Sequence, residues 1–250
     1  MRPVLFSIGP LAVYSFGVMV VLGIFTSLYG ISRRTCKTGF PPSLQDGFDL
    51  VFVAVLAGFL GARILYIAQN GDAYLRYPLK IFAVWEGGLI FYGGVIASFF
   101  SLYLLCRIRK ISFIKSLDFL LPYVALTQGF GRIGCFLNGC CSGKACDLPW
   151  AVRFPGSFQS VHPAQLYEAF FDFALFFFLA KGSLRKKFDG QILAYYFCLY
   201  PAGRFMLEFL RADNPSVFFL TYNQWISIGI FLLGFAAYRY LKFNSPGSAR

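Results

Sequence analysis

Residues 48–69 of this 250-residue chain read FDLVFVAVLAGFLGARILYIAQ, an apolar run whose only basic residue is Arg63. A helix of about 20 mostly apolar residues is long enough to cross the hydrocarbon core of a bilayer. Because such a helix satisfies its own backbone hydrogen bonds, it is the structure expected where water is absent. The run therefore predicts a membrane-spanning helix. Arg63 within it predicts a polar partner or cavity, because an arginine near the bilayer centre costs at least about 2.5–3.5 kcal/mol.

The composition extends this prediction to the whole chain. Hydrophobic residues make up 58% of the sequence and charged residues 14%, whereas an average soluble domain has about 25% charged residues. We predict an all-α fold, a polytopic membrane protein with about seven transmembrane helices. No repeat, low-complexity tract or long linker divides the chain, so we expect residues 1–250 to form a single integral-membrane domain. The predicted spans are 11–31, 48–69, 88–106, 117–137, 164–180, 191–209 and 224–240.

The basic residues predict the orientation of these spans. Of the 23 lysines and arginines, 14 lie in the loops after the first, third and fifth spans and in the tail, and six lie on the opposite side. Cytoplasmic loops carry an excess of lysine and arginine. We therefore expect the amino terminus outside and the carboxyl terminus in the cytoplasm. The net charge of +12 thus indicates first the orientation of the spans in the membrane, and only second a possible binding partner.

Two further arginines, Arg132 and Arg204, fall within predicted spans. In PAGRFMLEFLRAD, Arg204, Glu208 and Arg211 share one helical face with Tyr200. Two arginines around one glutamate leave a positive balance, and the planar guanidinium suits bidentate phosphate recognition. This pattern predicts a site for an anionic lipid headgroup. In the alternative reading, each arginine extends to the interface or pairs with an intramembrane acid. These acids are Asp118, Glu168, Asp172 and Glu208.

The segment GFGRIGCFLNGCCSGK, residues 129–144, combines five glycines with Arg132, Asn138 and Lys144. Glycine lets backbone N–H groups approach a phosphate closely, although it also allows close helix packing in membranes. Its cysteines, Cys135, Cys140, Cys141 and the following Cys146, are spaced by five, one and five residues. Structural zinc sites usually have paired C-x2-4-C spacings. We therefore favour a disulfide, packing or an incidental cluster, and predict no metal.

Two residues outside these segments are candidates for proton transfer. Tyr92 lies in WEGGLIFYGGVIA, residues 85–97, where it could exchange a proton or, as its position favours, belong to the interfacial aromatic belt. His162 is the only histidine and precedes a helix that carries Gln165, Glu168 and Asp172 on one face. It could act as a general base near neutral pH. A structural hydrogen bond is the commoner role for a lone histidine.

Six motifs in order resemble the bacterial prolipoprotein diacylglyceryl transferase family over nearly the whole chain: IGPLAVYSFGVM, GARILY, WEGGLIFYGG, GRIGCFLNGCCSG, HPAQLYE and GRFMLEFLRAD. The resemblance implies a multi-pass enzyme of the bacterial inner membrane that needs no cofactor. It would move diacylglycerol from phosphatidylglycerol onto the lipobox cysteine of a prolipoprotein signal peptide, releasing glycerol phosphate. Its partners would be these two substrates and membrane lipids, with no nucleic acid.

The resemblance also implies roles for particular residues. Arg132 matches the signature arginine, and Arg204 with Glu208 the later functional pair. The predicted catalytic residues are Arg132, Arg204, Glu208, Tyr92 and His162. The predicted substrate-binding residues are Arg132, Asn138, Gly143, Tyr200, Arg204, Arg211, Gly93 and Gly94.

Several residues depart from the family pattern. Tyr92 replaces a histidine of some members, Cys135 and Cys140 replace an asparagine and a glutamate, and Phe16 replaces a tyrosine. The base is therefore open among Tyr92, His162 and a carboxylate such as Glu168. These departures also leave an alternative function, a divergent paralogue that binds an anionic lipid or transports a small anion without transfer.

Overall fold

A computed structural model describes residues 3–8, 11–83, 87–155, 158–212 and 216–244. Among these residues, seven helices have 18 residues or more. A short helix, a 3-10 turn and two small hairpins connect them. The long helices are α1 (Ser15–Thr38), α2 (Leu44–Gln69), α4 (Phe91–Ile108), α5 (Phe113–Asn138), α6 (Ala164–Ser183), α7 (Gln191–Glu208) and α8 (Tyr222–Phe243). The shorter elements are β1 (Val4–Ile8), β2 (Leu11–Tyr14), α3 (Gly71–Arg76), the 3-10 turn Pro78–Phe82, β3 (Ser216–Val217) and β4 (Leu220–Thr221).

The all-helical prediction is confirmed, because each predicted span overlaps one long helix. Of the described helices, α1, α2, α4 and α8 are long and apolar enough to cross a membrane by length and composition. The prediction was wrong at residues 11–14, which form β2 and pair antiparallel with β1. Apolar and β-branched residues on both sides of Gly9 and Pro10 favour a hairpin over a helix there.

The chain divides into two compact units, residues 31–116 and residues 1–30 with 117–250. In the first of these, α2 and α4 pack closely. A β-carbon added at Gly93 would lie 2.5 Å from the carbonyl oxygen of Gly61, and one at Gly94 would lie 2.9 Å from that of Gly58. Such backbone contact through small residues is typical of membrane helices. Gly93 and Gly94, predicted to bind substrate, therefore have a packing role.

Among the described residues, Arg63 on α2 donates hydrogen bonds to backbone carbonyl groups, and its guanidinium carbon also lies 5.8 Å and 5.5 Å from the ring centroids of Tyr66 and Tyr74. Its Nε donates to the oxygen of Ile81, its Nη1 to those of Gly87 and Gly88, and its Nη2 to those of Lys80 and Ala83, at 2.6–3.3 Å. All three nitrogens, which carry the five N–H donors of a guanidinium, are thus engaged. The polar partner expected for Arg63 is the connection between α3 and α4, so this arginine is structural.

In the other unit, Asp118 fixes the start of α7. Its carboxylate accepts hydrogen bonds from the backbone N–H groups of Gly190 and Leu193 at 2.8 and 2.9 Å, and from Lys186 at 3.1 Å. A carboxylate at a helix N-terminus satisfies orphan donors and complements the helix dipole. Asp118 is therefore not an arginine partner, as the sequence had allowed.

We expect Arg63→Lys to destabilise the unit of residues 31–116. Lysine offers three donors, so at least two hydrogen bonds to carbonyl groups are lost, each contributing about 1.5–3 kcal/mol because the donor is charged. Hydrogen exchange around Ile81 and Gly88 should accelerate. Arg109→Lys is the control, because Arg109 is 45% exposed in its ion pairs with Asp46 and Asp49. Equal exchange rates in the two variants would contradict the structural role.

We expect Gly61→Ala to lower the free energy of unfolding by about 1–3 kcal/mol, as overpacking does. The added methyl group would lie 2.6 Å from the carbonyl oxygen of Gly93, so α2 and α4 must separate. Thermal unfolding in detergent micelles measures the change. Gly71→Ala, with no atom within 4 Å of its added carbon, should leave the midpoint unchanged, and an equal loss in both variants would refute the packing argument.

Candidate functional site

The candidate site lies in the unit of residues 1–30 and 117–250, where α5, α6 and α7 each contribute charged side chains. Arg132 comes from α5, Glu168 from α6, and Arg204 with Glu208 from α7. Arg211 follows the end of α7, in a bridge with the backbone of Gly143. Helices that start at fixed points hold these residues in register: α6 begins directly after Pro163, and Asp118 holds the start of α7. The structure thus brings together the arginines predicted on separate segments.

The carboxylate of Glu168 contacts all three arginines. Its Oε2 lies 2.7 Å from Nε of Arg132, and its Oε1 lies 3.2 Å from Nη1 of Arg204 and 3.1 Å from Nη1 of Arg211. The Glu168 side chain is only 4% exposed. A buried carboxylate requires such partners, since an unpaired charge there would be very costly. Glu168 is therefore the shared anchor of the arginine cluster.

Glu208 has a narrower role than predicted. Its Oε2 lies 2.7 Å from Nη1 of Arg204 but 4.0 Å from Nε of Arg211. Thr221 and Asn223 donate hydrogen bonds to its Oε1 at 2.9 and 3.0 Å. We expected Glu208 to hold both arginines, whereas it mainly holds Arg204, and Glu168 holds Arg211.

Thr221 and Asn223 were missed by the sequence reasoning, although a signal for this segment was present. Thr221 caps α8 in a capping box with Gln224, each side chain bonding the other residue's backbone N–H. The sequence TYNQ before an apolar run is the usual signature of such a box. The box fixes the first turn of α8, and with it the two side chains that bond Glu208.

A small recess lies beside the arginine cluster. Within the described part of the chain, the ion pair of Arg132 with Glu168 is made by Nε, and the ion pairs of Arg204 with its two glutamates are made by Nη1. The remaining guanidinium N–H groups are therefore available to a ligand. An oxyanion in this recess would meet two arginines at once. The recess is lined by Arg132, Glu168, Phe171, Asp172, Tyr200, Arg204 and Leu207.

The other predicted residues are distributed over both units. Tyr200 lines the recess, whereas Gly143 and His162 belong to the loop before α6, where the N–H of Gly143 donates to the carbonyl of His162 at 3.0 Å. Asn138 ends α5, two residues before Cys140, whose thiol donates to the carbonyl of Cys135 at 3.6 Å. Tyr92 belongs to the unit of residues 31–116 and is 54% exposed. Its catalytic role therefore remains a prediction.

His162 makes the kind of contact expected of a structural histidine. Its Nδ1 lies 3.4 Å from the hydroxyl of Tyr167, and that hydroxyl also accepts a hydrogen bond from Nε1 of Trp150 at 2.7 Å. A β-carbon at Gly143 would lie 2.7 Å from Cβ of His162 and from the carbonyl oxygen of Leu210. The glycine thus allows the His162 loop to pack against the segment that carries Arg211.

Three thiols adjoin the arginine cluster. The sulfur atoms of Cys135, Cys140 and Cys141 all lie within 4.8 Å of one another, and all seven cysteines are free. The positive charge of Arg211 lies close enough to interact with Cys141. The pKa of the Cys141 thiol is lowered to about 5, first by the hydrogen bond from Cys135 and then by Arg211, against the opposing effect of burial. None of these cysteines is joined by a disulfide in the structure, which was one of the alternatives that the sequence allowed.

Comparisons with known proteins agree on one family. The sequence profile of the prolipoprotein diacylglyceryl transferase family matches residues 3–240. A phosphatidylglycerol--prolipoprotein diacylglyceryl transferase from Clostridium tetani is 36% identical, covering 98% of this chain and 99% of its own length. Proteins of the same name from Bordetella parapertussis and Pasteurella multocida are 37% and 35% identical, covering 94% and 99% of this chain and 94% of their own lengths.

We expect Glu168→Gln to lower the free energy of unfolding by about 3–5 kcal/mol, because it leaves buried arginines without their shared counter-charge. Glutamine keeps the size of the side chain, so the loss reports charge. Asp189→Asn is the control, because its ion pair with Lys186 is 46% exposed at Asp189 and should contribute no more than about 1 kcal/mol. Denaturant unfolding in micelles measures both. Similar losses would contradict the anchoring role of Glu168.

Proposed function

The chain belongs to the prolipoprotein diacylglyceryl transferase family, and we propose that it transfers the diacylglyceryl group of phosphatidylglycerol to the cysteine thiol of a prolipoprotein, releasing glycerol phosphate. The observation that carries the site assignment is the recess where Arg132 and Arg204 present unused N–H groups beside Glu168. This recess is the part of the described chain with the chemistry to receive a phosphodiester.

The charges of the site fit both the anionic phosphatidylglycerol that binds and the glycerol phosphate that leaves with one more negative charge. Glu168 and Glu208 fix the guanidinium groups at 2.7–3.2 Å. Donors that are already in place need not reorganise when negative charge develops on the phosphate, which is the main source of electrostatic catalysis. We propose that Arg132 and Arg204 contact the phosphate directly and that Arg211 reinforces Glu168.

The transfer balances as a displacement at the glyceryl carbon. The acceptor thiol loses its proton and its sulfur forms a bond to that carbon, because the thiolate is the nucleophile. The carbon–oxygen bond to the phosphate breaks, and its electron pair stays on the phosphate oxygen. Glycerol phosphate leaves with an additional negative charge, which the arginines stabilise.

The thiol proton needs an acceptor, and Asp172 is the carboxylate best placed to take it. Glu168 is engaged with three arginines. Asp172, one helical turn further along α6, lines the recess and makes no hydrogen bond or ion pair with any described residue. Tyr92 and His162 remain the other predicted acceptors. A base must lie within hydrogen-bond reach of the proton in the bound complex, and Asp172 lies beside the proposed phosphate position.

We further propose that all seven long helices span the bacterial inner membrane, as one domain with the amino terminus outside and the carboxyl terminus in the cytoplasm. The distribution of lysine and arginine supports this orientation. Helices α5, α6 and α7 are less apolar because they carry the charged groups of the site, and intramembrane charges facing a bundle interior are usually functional. The family profile, which covers residues 3–240, supports the single domain.

The function is tested with purified protein, phosphatidylglycerol labelled in its diacylglycerol moiety, and a lipobox peptide. The label should transfer to a peptide with cysteine and not to one with serine. Arg132→Ala and Arg204→Ala should each lower the turnover number by about 100- to 1,000-fold, as loss of a charge-stabilising donor does. Arg185→Ala removes an exposed arginine of the same unit and should leave turnover unchanged.

Two outcomes would overturn this proposal. The first is no transfer under lipid conditions in which the relative from Clostridium tetani is active. The second is lipid binding without turnover, which would favour the divergent paralogue. Full activity of both arginine variants would instead show that the phosphate does not bind in the recess.

A further inference from the structure

A turn after α5 gathers three of the seven cysteines into one cluster. Cys135 lies in the last helical turn, and the N–H of Cys140 donates to its carbonyl at 3.2 Å. Gly139 has a φ of 77° and Cys141 a φ of 65°, so the chain reverses within three residues. The left-handed region is costly for a residue with a side chain. Cys141 adopts this left-handed conformation, and its sulfur lies within 4.8 Å of the sulfur atoms of Cys135 and Cys140.

The geometry suits a metal ion better than a disulfide. A disulfide joins two sulfur atoms at about 2.05 Å and would leave the third thiol unpaired. Zinc binds thiolates at about 2.3 Å, so tetrahedral ligands lie about 3.8 Å apart. Sulfur atoms already within 4.8 Å need to approach by only about 1 Å, well within the reach of side-chain rotation.

The surroundings suit the charge of such a complex. Three thiolates and one Zn²⁺ carry a single net negative charge, and the positively charged Arg211 interacts with Cys141. Gln165, which is fully buried, donates from Nε2 to the carbonyl of Cys140 at 2.5 Å. Outer groups of this kind orient metal ligands and tune the ion.

We propose that Cys135, Cys140 and Cys141 bind one zinc ion through three thiolates. Thiolate ligands select soft or borderline ions such as zinc over magnesium or calcium. Three protein ligands leave the fourth tetrahedral position to water or substrate, as in catalytic zinc sites. Under the proposed function, on which this part rests, the acceptor cysteine thiol takes that position. It releases its proton on binding, because thiolate ligands must be deprotonated.

Zinc would therefore lower the proton affinity of the acceptor thiol before Asp172 accepts the proton. The cluster is linked to the proposed phosphate site through Arg211, which contacts both Cys141 and Glu168. The nucleophile and the phosphate would thus be held by neighbouring groups.

The first experiment measures the metal content of the purified full-length protein after growth with added zinc. We expect about one zinc per chain, falling below about one tenth in Cys141→Ser and Cys135→Ser. Cys146→Ser is the matched control, because Cys146 lies in the same loop outside the cluster, and it should retain zinc. Zinc below one tenth in the parent chain, copper in its place, or equal loss in the control would overturn the site.

A second experiment uses the parent protein, so its result does not depend on whether the cysteine variants fold. Cobalt-substituted parent protein should show an intense near-ultraviolet thiolate-to-metal absorption, and its visible bands should shift when a lipobox peptide with cysteine is added but not with serine. Absence of the charge-transfer absorption would overturn the three-thiolate site. An unchanged spectrum with the cysteine peptide would overturn the assignment of the fourth position. If only diacylglyceryl transfer fails, the result contradicts the proposed function. The metal measurements then still test whether the three cysteines bind zinc.

Discussion

The carboxylate of Glu168 contacts Arg132, Arg204 and Arg211 at 2.7–3.2 Å while its side chain is only 4% exposed. Charges this deep are stable only as a connected group, because removing one partner leaves another unpaired. Glu168 thereby fixes the relative positions of α5, α6 and the end of α7. The recess and the orientation of the guanidinium groups depend on this one residue.

The same constraint explains why hydropathy marks some helices more clearly than others. Helices α1, α2, α4 and α8 pass as membrane spans by length and composition. The remaining long helices, α5, α6 and α7, carry the arginines and carboxylates of the site, which lower their hydropathy. A site for a charged lipid headgroup at membrane depth requires polar residues on the helices that enclose it. The polar residues that the site requires therefore lower the hydropathy of the helices that carry them.

Three arginines within predicted spans serve two different purposes. Arg63 uses all three guanidinium nitrogens on backbone carbonyl groups, so it stabilises a connection and has nothing left for a ligand. Arg132 and Arg204 are held by carboxylates through one nitrogen each. The difference lies in their partners. Carbonyl groups of one connecting segment satisfy an arginine completely, whereas a carboxylate fixes its position and leaves other N–H groups exposed.

The sequence by itself determined the helical membrane class, because apolar runs of sufficient length have few other stable structures. It also determined the residues of the family motifs and, through residue spacing, the shared helical face of Arg204 and Glu208, whereas Arg211, predicted on the same face, lies beyond the end of α7. Only the tertiary structure decided that Glu168, rather than Glu208, is the common partner, and that Cys135, Cys140 and Cys141 converge despite irregular spacing. Helical periodicity relates residues of one segment, whereas contacts between α5, α6 and α7 depend on packing and on a backbone reversal at Gly139, which no periodic pattern encodes.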